Sequence, residues 1–458
     1  MNERDDGLFG ALENDGSDAG RTPAQATPRT GAAGRRNART ARENAPPEPQ
    51  TDLFGFVPPE PAVGRAARRK AADANADASA TEASDSTQQT NAEKPAKSPP
   101  SADSPAPRRR AKGVLPAVPG QDVLDLAEEL PSGVRLGTSS WSFPGWRGIV
   151  YGDDYSNSKL ARDGLAAYGA HPLLRSVSID RSFYAPLTVT DYLRYAQQVP
   201  DHFRFIVKAP ALITDASVRG DRGEPVSANP CFLNADLAAR EFIEPCLAGL
   251  GAKAGALVFQ FPPLPDQLLA DPAVFVERLA AFLAALPPLP APASTPLASA
   301  DAGEAASSSA PPSDDPCYAV EIRDGILLTP RFVRALRAAG VRYCVGLHAR
   351  MPDPLRQAAA LALMDGEAPA GPLIVRWSLH SGFKYEQAKA RYEPFDKLVD
   401  EDPHTRDALA ELAARYAIAG QPVLITTNNK AEGSAPLTCA KLARAIADEM
   451  LRMRGDGA

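Results

Sequence analysis

From Pro131 onward the chain alternates two kinds of apolar pattern. The first is a short run that is apolar on both faces, such as Leu257-Val258-Phe259. Eight runs of this kind occur: Val134–Thr138, Arg175–Asp180, Arg204–Lys208, Ala256–Phe261, Tyr318–Ile322, Arg342–Leu347, Leu373–Trp377 and Val423–Thr427. Strands covered on both faces, as in a parallel sheet, read this way. The second pattern has apolar residues at helical spacing, as in Leu409, Leu412, Ala413 and Tyr416. It predicts helices between the strands, among them 160–168, 191–198, 235–250, 272–286, 330–339, 405–418 and 436–453. Gly340 and Gly420 fall where a left-handed C-cap is wanted. Eight strand–helix alternations predict an α/β fold, a (β/α)8 TIM barrel, over residues 130–454. A doubly wound sheet usually needs fewer strands, and the first strand is followed by no Gly-x-Gly-x-x-Gly turn.

Two stretches break the pattern. Residues 1–115 and 289–316 are dense in Ala, Pro and Ser. Such compositions bury too little apolar surface to offset chain entropy, which predicts a disordered arm and a disordered insertion. The insertion falls between the fourth helix and the fifth strand, on the barrel face opposite the usual site. In the arm, Leu8-Phe9 and Leu53-Phe54-Gly55-Phe56 are apolar islands, and 65–70 and 108–112 are basic clusters. The basic clusters suit a solvated arm, with weak, salt-sensitive nucleic-acid contact as the sharper alternative.

Composition narrows the function class. Asp and Glu (56) outnumber Lys and Arg (50), for a formal charge of -6, so no global basic footprint for nucleic acid exists. Cys231, Cys246, Cys317, Cys344 and Cys439 are scattered, without a Cys-x-x-Cys pair, which fits buried thiols in a reducing compartment. No apolar run is long enough to span a bilayer, and the acidic N-terminus lacks the apolar stretch of a signal peptide. The expectation is a cytoplasmic protein without a membrane partner.

Barrel chemistry belongs at the C-terminal ends of the strands. Those ends carry Trp141; Asp180 and Tyr184; Lys208; Gln260; Glu321 and Arg323; His348; Arg376 and Trp377; and Asn428, Asn429 and Lys430. Glu321 alternates away from Val320 and Ile322, so it reads as a general base tuned by nearby cations, with Lys208 and Asp180 completing a catalytic set. The plain alternative is a buried ion pair of Glu321 with Arg323, Lys208 or Arg376 that only orders the mouth. Arg376 and Lys430 end the seventh and eighth strands, where barrels often bind phosphate, and Ser434 and Pro436 open a helix whose N-terminus favours an anion. Trp141, Tyr184, Gln260, Arg323, His348, Asn428 and Asn429 are the other candidate substrate contacts, with Trp377 as a further stacking surface. His348 and His380 stand in no His-x-His or His-Glu-x-x-His pattern, so neither a metal nor another cofactor is expected.

These motifs taken together resemble a known family. Gly137 to Trp146, Ser182-Phe183-Tyr184, Phe205 to Lys208, Gln260-Phe261-Pro262-Pro263, Val320-Glu321-Ile322-Arg323 and Asn428-Asn429 are similar to the DUF72, or YecE-like, family, in order from Val134 to the C-terminus. The resemblance implies a TIM barrel and leaves the reaction open. Where that family usually has a Glu in the second strand, this chain carries Ser178, followed by Asp180 and Arg181. The functional expectation is metal-independent hydrolase or lyase chemistry on a small anionic, phosphate-bearing substrate. The alternative is a nucleic-acid-associated protein that docks a phosphate backbone at the barrel mouth.

The arm supplies the motive for that alternative. Gln50, Leu53 and Phe54 sit in a pentapeptide resembling the motif that binds the bacterial DNA sliding clamp, with Thr51 departing from the usual aliphatic residue. Leu53 and Phe54 would enter an apolar groove while Gln50 makes a polar anchor, with affinity kept modest by the ordering cost. A labelled peptide spanning Pro46 to Pro59 is expected to bind a bacterial clamp, and its Leu53→Ala, Phe54→Ala version to lose the signal. Equal titration curves for the two peptides would refute the motif.

Overall fold

The computed structural model describes residues 113–220, 223–290, 314–380 and 382–455. Gln50, Leu53 and Phe54, and most of the 289–316 stretch, lie outside these described residues. Eight strands close a parallel barrel: β1 Val134–Thr138, β2 Leu174–Ile179, β3 Arg204–Lys208, β4 Ala254–Gln260, β5 Cys317–Glu321, β6 Arg342–Leu347, β7 Leu373–Trp377 and β8 Val423–Thr427. Each pairs with its sequence neighbours, and β1 closes on β8 from Val134 beside Val423 to Thr138 beside Thr427. All eight strands expected from the apolar runs are present, within two residues at each end.

Side-chain alternation divides the barrel into two cores. Outward residues such as Val177, Phe205, Phe259, Val320, Val345 and Val375 pack beneath the surrounding helices in one continuous cluster. Inward residues Ile206, Ala256, Val258, Ala319, Cys344, Ile374 and Leu424 form a separate small cluster inside the barrel. Small and medium side chains suit this narrow interior. Gly137 is required by packing, because a Cβ there would lie 1.9 Å from the Ser176 carbonyl oxygen of β2.

The helices begin and end as their sequences direct. Thr188 and Asp191 form a reciprocal capping box at Val189–Ala196, and Asp353, Thr329 and Asp402 cap the helices that follow them. Gly340 and Gly420 have φ of +67° and +75°, the expected left-handed caps. The 235–250 helix opens into a π segment at Ala239–Ile243, just before Pro245, which lacks an N–H to continue the regular ladder.

Packed chain also extends upstream of the expected start at residue 130. Ala117 N–H donates to the Val150 carbonyl (2.9 Å), and the helix Gln121–Glu129 buries Leu126 and Ala127. Arg175 fixes this helix by donating to the Ala127 and Pro131 carbonyls. A hairpin, Ser217–Arg219 with Pro225–Ala228, follows β3 and was not visible as a strand pattern. The chain on either side of residues 291–313 attaches at the N-terminal side of the barrel. Tyr318 OH donates to the Pro287 carbonyl (2.9 Å), and Asp314 ion-pairs with Arg135 (2.5 Å) and Arg204 (3.2 Å).

Candidate functional site at the barrel mouth

Strand parity builds the site. A residue two positions beyond an inward aliphatic one also faces inward. Ile206 therefore sets Lys208, Val258 sets Gln260, Ala319 sets Glu321 and Ile374 sets Arg376. The same rule carries Ser178 to Asp180, and Leu424 through Thr426 to Asn428. A polar layer thus stands directly on the aliphatic one, at the C-terminal ends of the strands.

Arg376 is its hub. Its Nη2 donates to both Asp180 oxygens (2.8 and 2.6 Å), and Nη1 donates to Glu321 Oε2 (2.7 Å) and Gln260 Oε1 (2.9 Å). Arg323 Nη2 lies 2.6 Å from Glu321 Oε1 and makes longer contacts with Gln260 Oε1 (3.3 Å) and Ser378 Oγ (3.4 Å). Ser178 Oγ donates to Asp180 Oδ1. Gly346 leaves the room: a Cβ there would stand 3.1 Å from Glu321 Cγ. The whole layer is buried, with Glu321 fully enclosed and Lys208, Arg323, Gln260 and Asp180 each keeping between 6 % and 9 % exposure.

The electrostatics follow from burial and unequal pairing. Burial alone would raise the Glu321 carboxyl, but Arg323, Arg376 and Lys208 together hold it below the usual range. Burial opposes the Arg376 cation, yet Asp180 and Glu321 more than offset it and its pKa rises. Arg323 is lowered, by burial first and then by repulsion from Arg376, against the pull of Glu321. Lys208 falls to about 7, because burial outweighs the attraction of Asp180 and Glu321, and Arg376 and Arg323 repel it. Its Nζ lies 3.4 Å from the centroid of the Phe183 ring. That ring is placed by Ser182, whose Oγ lies 2.9 Å from the Ile179 carbonyl and 2.6 Å from the Lys208 carbonyl. His348 borders the layer and is lowered to about 4 by burial and Arg323, so it is neutral at pH 7. Among the described residues, Arg323 Nη1 and Arg376 Nε are buried donors without an acceptor.

Apart from Asn428, the other expected contacts stand outside this layer. Lys430 sits over the rings of Tyr385 (4.2 Å) and Phe395 (5.5 Å), lowered to about 8 by burial and by Lys389. Asn429 Oδ1 accepts from Trp146 Nε1 (3.2 Å) and the Ala435 N–H (2.8 Å), joining the first loop to the last helix. Asn428 Nδ2 donates to Ser139 Oγ (2.7 Å), and its Oδ1 accepts from the Lys430 N–H. Trp141 is buried edge-on against Tyr195, while Tyr184 is exposed and meets Phe183 edge-on. The expectation that Trp377 stacks at the mouth is corrected: Arg376 takes the inward position, so Trp377 points outward into the helix-facing core. Ser378 and Gly346 also shape the layer and are not among the expected site residues, while Phe183 and Ser178, noted in the sequence as a motif residue and a family departure, join it through Lys208 and Asp180. Strand parity would have flagged Ser178, Gly346 and Ser378.

The family model described as "Protein of unknown function DUF72" matches residues 135–456. The chain belongs to the DUF72 family. Among solved structures, a DUF72 family protein from Enterococcus faecalis V583 is 15% identical, covering 68% of this chain and 95% of its own at a TM-score of 0.43. A DUF72 family protein from Thermotoga maritima MSB8 is 17% identical, covering 69% of this chain and 99% of its own at a TM-score of 0.41. A monooxygenase from Streptomyces bottropensis is 14% identical, covering 70% and 99% at a TM-score of 0.33. No curated protein matches the chain. In this DUF72 protein no helix among the described residues is long and apolar enough to cross a membrane. Among the same residues no group of three or more His, Cys, Asp or Glu is placed to hold a metal ion.

Two outcomes follow for this DUF72 barrel. Glu321→Gln leaves two buried arginines short of a charge partner and is expected to cost about 3–5 kcal/mol in urea unfolding; a change under about 1 kcal/mol would show that the pairs are not holding the mouth. Lys208 has a folded pKa below its unfolded value of about 10.4. The folded state therefore binds fewer protons between about pH 7 and 10, and stability from this group rises across that window. Wild type is expected to gain on Lys208→Met by on the order of a few kcal/mol from pH 7 to 10, and parallel pH curves would refute it.

Proposed function

We propose that the barrel mouth is the active site of an enzyme that carries out metal-independent hydrolase or lyase chemistry on a small anionic substrate. One observation supports this reading above the others. The polar layer sets Arg323 and Arg376, with Lys208 beside them, against two carboxylates, Asp180 and Glu321, and among the described residues two of its buried guanidinium N–H groups have no acceptor. Buried donors are rarely left unpaired, so these two favour a ligand that brings oxygen acceptors, best supplied by an anion. A carboxylate or phosphate on the Arg323 side supplies both.

The roles then divide by pairing. Glu321 is enclosed and held ionised by two arginines, which suits a residue that positions Arg323 and Arg376 better than one that takes a proton. Lys208 is the better proton-transfer group, since a pKa of about 7 lets it exchange a proton near neutral pH. Asp180 orients Arg376 and faces the same space, and Gln260 ties the two arginines through one oxygen. His348, neutral at the rim, is available to hydrogen-bond a substrate oxygen or hydroxyl.

The test is ligand-dependent melting of the full chain with phosphate, citrate and a neutral sugar. Phosphate or citrate is expected to raise the melting temperature with saturation, and the neutral sugar to leave it unchanged. Arg323→Met should remove most of that shift. An unchanged melting temperature in wild type, or an equal rise in the variant, would exclude the anion site.

A further inference from the structure

Resting on the mouth as a seat for a small anion, we infer that Lys208 is a nucleophile that condenses with the carbonyl carbon of an anionic aldehyde or ketone, such as an oxo acid or a phosphorylated carbonyl compound. The first argument is position. Lys208 ends β3, faces inward two residues beyond Ile206, and shares the layer with Asp180, Glu321 and Arg376.

The second argument is what its amine lacks. Arg376 holds both carboxylates of the layer, and Arg323 shares Glu321. Among the described residues no carboxylate lies within 4.0 Å of Lys208 Nζ, which rests on the face of Phe183 instead. A lysine placed to form an ion pair would sit on a carboxylate, as Arg376 does. The ring face favours an ammonium by about 2 kcal/mol or more when desolvated, and it acts against burial and two repelling guanidinium groups, which lower the amine. A sizeable neutral fraction near pH 7 is the result, and a neutral lysine is the nucleophile of imine chemistry.

The third argument is that both ends of such a substrate find a partner. Its carboxylate or phosphate would be held by Arg323, whose Nη1 has no acceptor among the described residues. Its carbonyl carbon then faces an amine within the same small layer. In the reaction the Nζ lone pair attacks that carbon, and the C–N bond forms as the C=O π pair moves to oxygen, which takes a proton. The carbinolamine nitrogen loses a proton, and the protonated hydroxyl leaves as water with the C–O electron pair. The product is an iminium, and no oxidant or reductant is consumed. Asp180, which acts on the Lys208 charge and accepts from Ser178, is placed to stabilise the new cation. An iminium draws electrons from the neighbouring C–H or C–C bond, which selects the lyase branch of the proposed chemistry.

The test traps that iminium by reduction. The full chain is incubated near neutral pH with sodium cyanoborohydride and one of three carbonyl compounds: glyoxylate, dihydroxyacetone phosphate, or propanal as an uncharged control. Adducts are mapped by peptide mass spectrometry. At least about tenfold enrichment at Lys208 over exposed lysines is expected with an anionic compound and not with propanal, given the gap between its pKa and the usual lysine value. Glyoxylate and dihydroxyacetone phosphate distinguish a carboxylate from a phosphate seat. Adducts spread evenly over lysines, or concentrated at Lys430, would overturn the inference. Mapping wild type requires no variant to fold, and Lys208→Arg supplies the second arm. Phosphate-dependent melting retained in wild type without any Lys208 adduct would refute the nucleophile and leave the anion site standing. Loss of both would refute both.

Discussion

A guanidinium in the middle of a closed barrel has little water to fall back on, and its neighbours must supply what solvent would have given. Arg376 meets that constraint by reaching three other strands at once, with Asp180 from the end of β2, Gln260 from β4 and Glu321 from β5. These contacts cross the barrel interior, where the parallel hydrogen-bond ladder cannot reach. They fix the relative height of strands far apart in sequence. Gly346 gives up its side chain to make room for Glu321, and Ser178 turns its hydroxyl to Asp180. Much of the layer can be understood as accommodation of this one cation.

That arrangement also sets the chemistry. Once Arg376 and Arg323 have taken the carboxylates, Lys208 is left with an aromatic face and two repelling neighbours. The same distribution leaves the fully buried carboxylate firmly ionised and makes the amine the group that changes protonation near neutral pH. In such a layer the structural residues are the strongly paired ones, and the candidates for chemistry are those that pairing has left over.

The sequence made the barrel legible because each strand is a short apolar run between helical segments, and the alternation repeats eight times. Glu321 and Arg376 were legible as inward residues by simple parity. What parity cannot show is how three charges share two partners, since that depends on side-chain reach across the interior. Lys430 and Asn429 lie beyond the last strand, where alternation gives no direction, and the fold turns them toward Tyr385, Phe395 and Trp146. Trp377 was misplaced because its chemistry was weighed ahead of its parity. The hairpin after β3 has short, exposed strands with almost no apolar pattern to read. The helix 121–129 belongs to no barrel repeat, and only its contact with the last helix and with Arg175 shows its place.

The attachment of Asp314 to Arg135 and Arg204, together with that of Tyr318 to Pro287, fixes both edges of the fourth αβ connection on the side of the barrel away from the mouth. With the anchors held, lengthening a connection costs only a slowly growing entropy of loop closure. The connection can thus change in length without disturbing strand register or the polar layer. For protein engineering this makes it a natural port: a fluorescent reporter or affinity handle could be spliced there, on the side away from the barrel mouth.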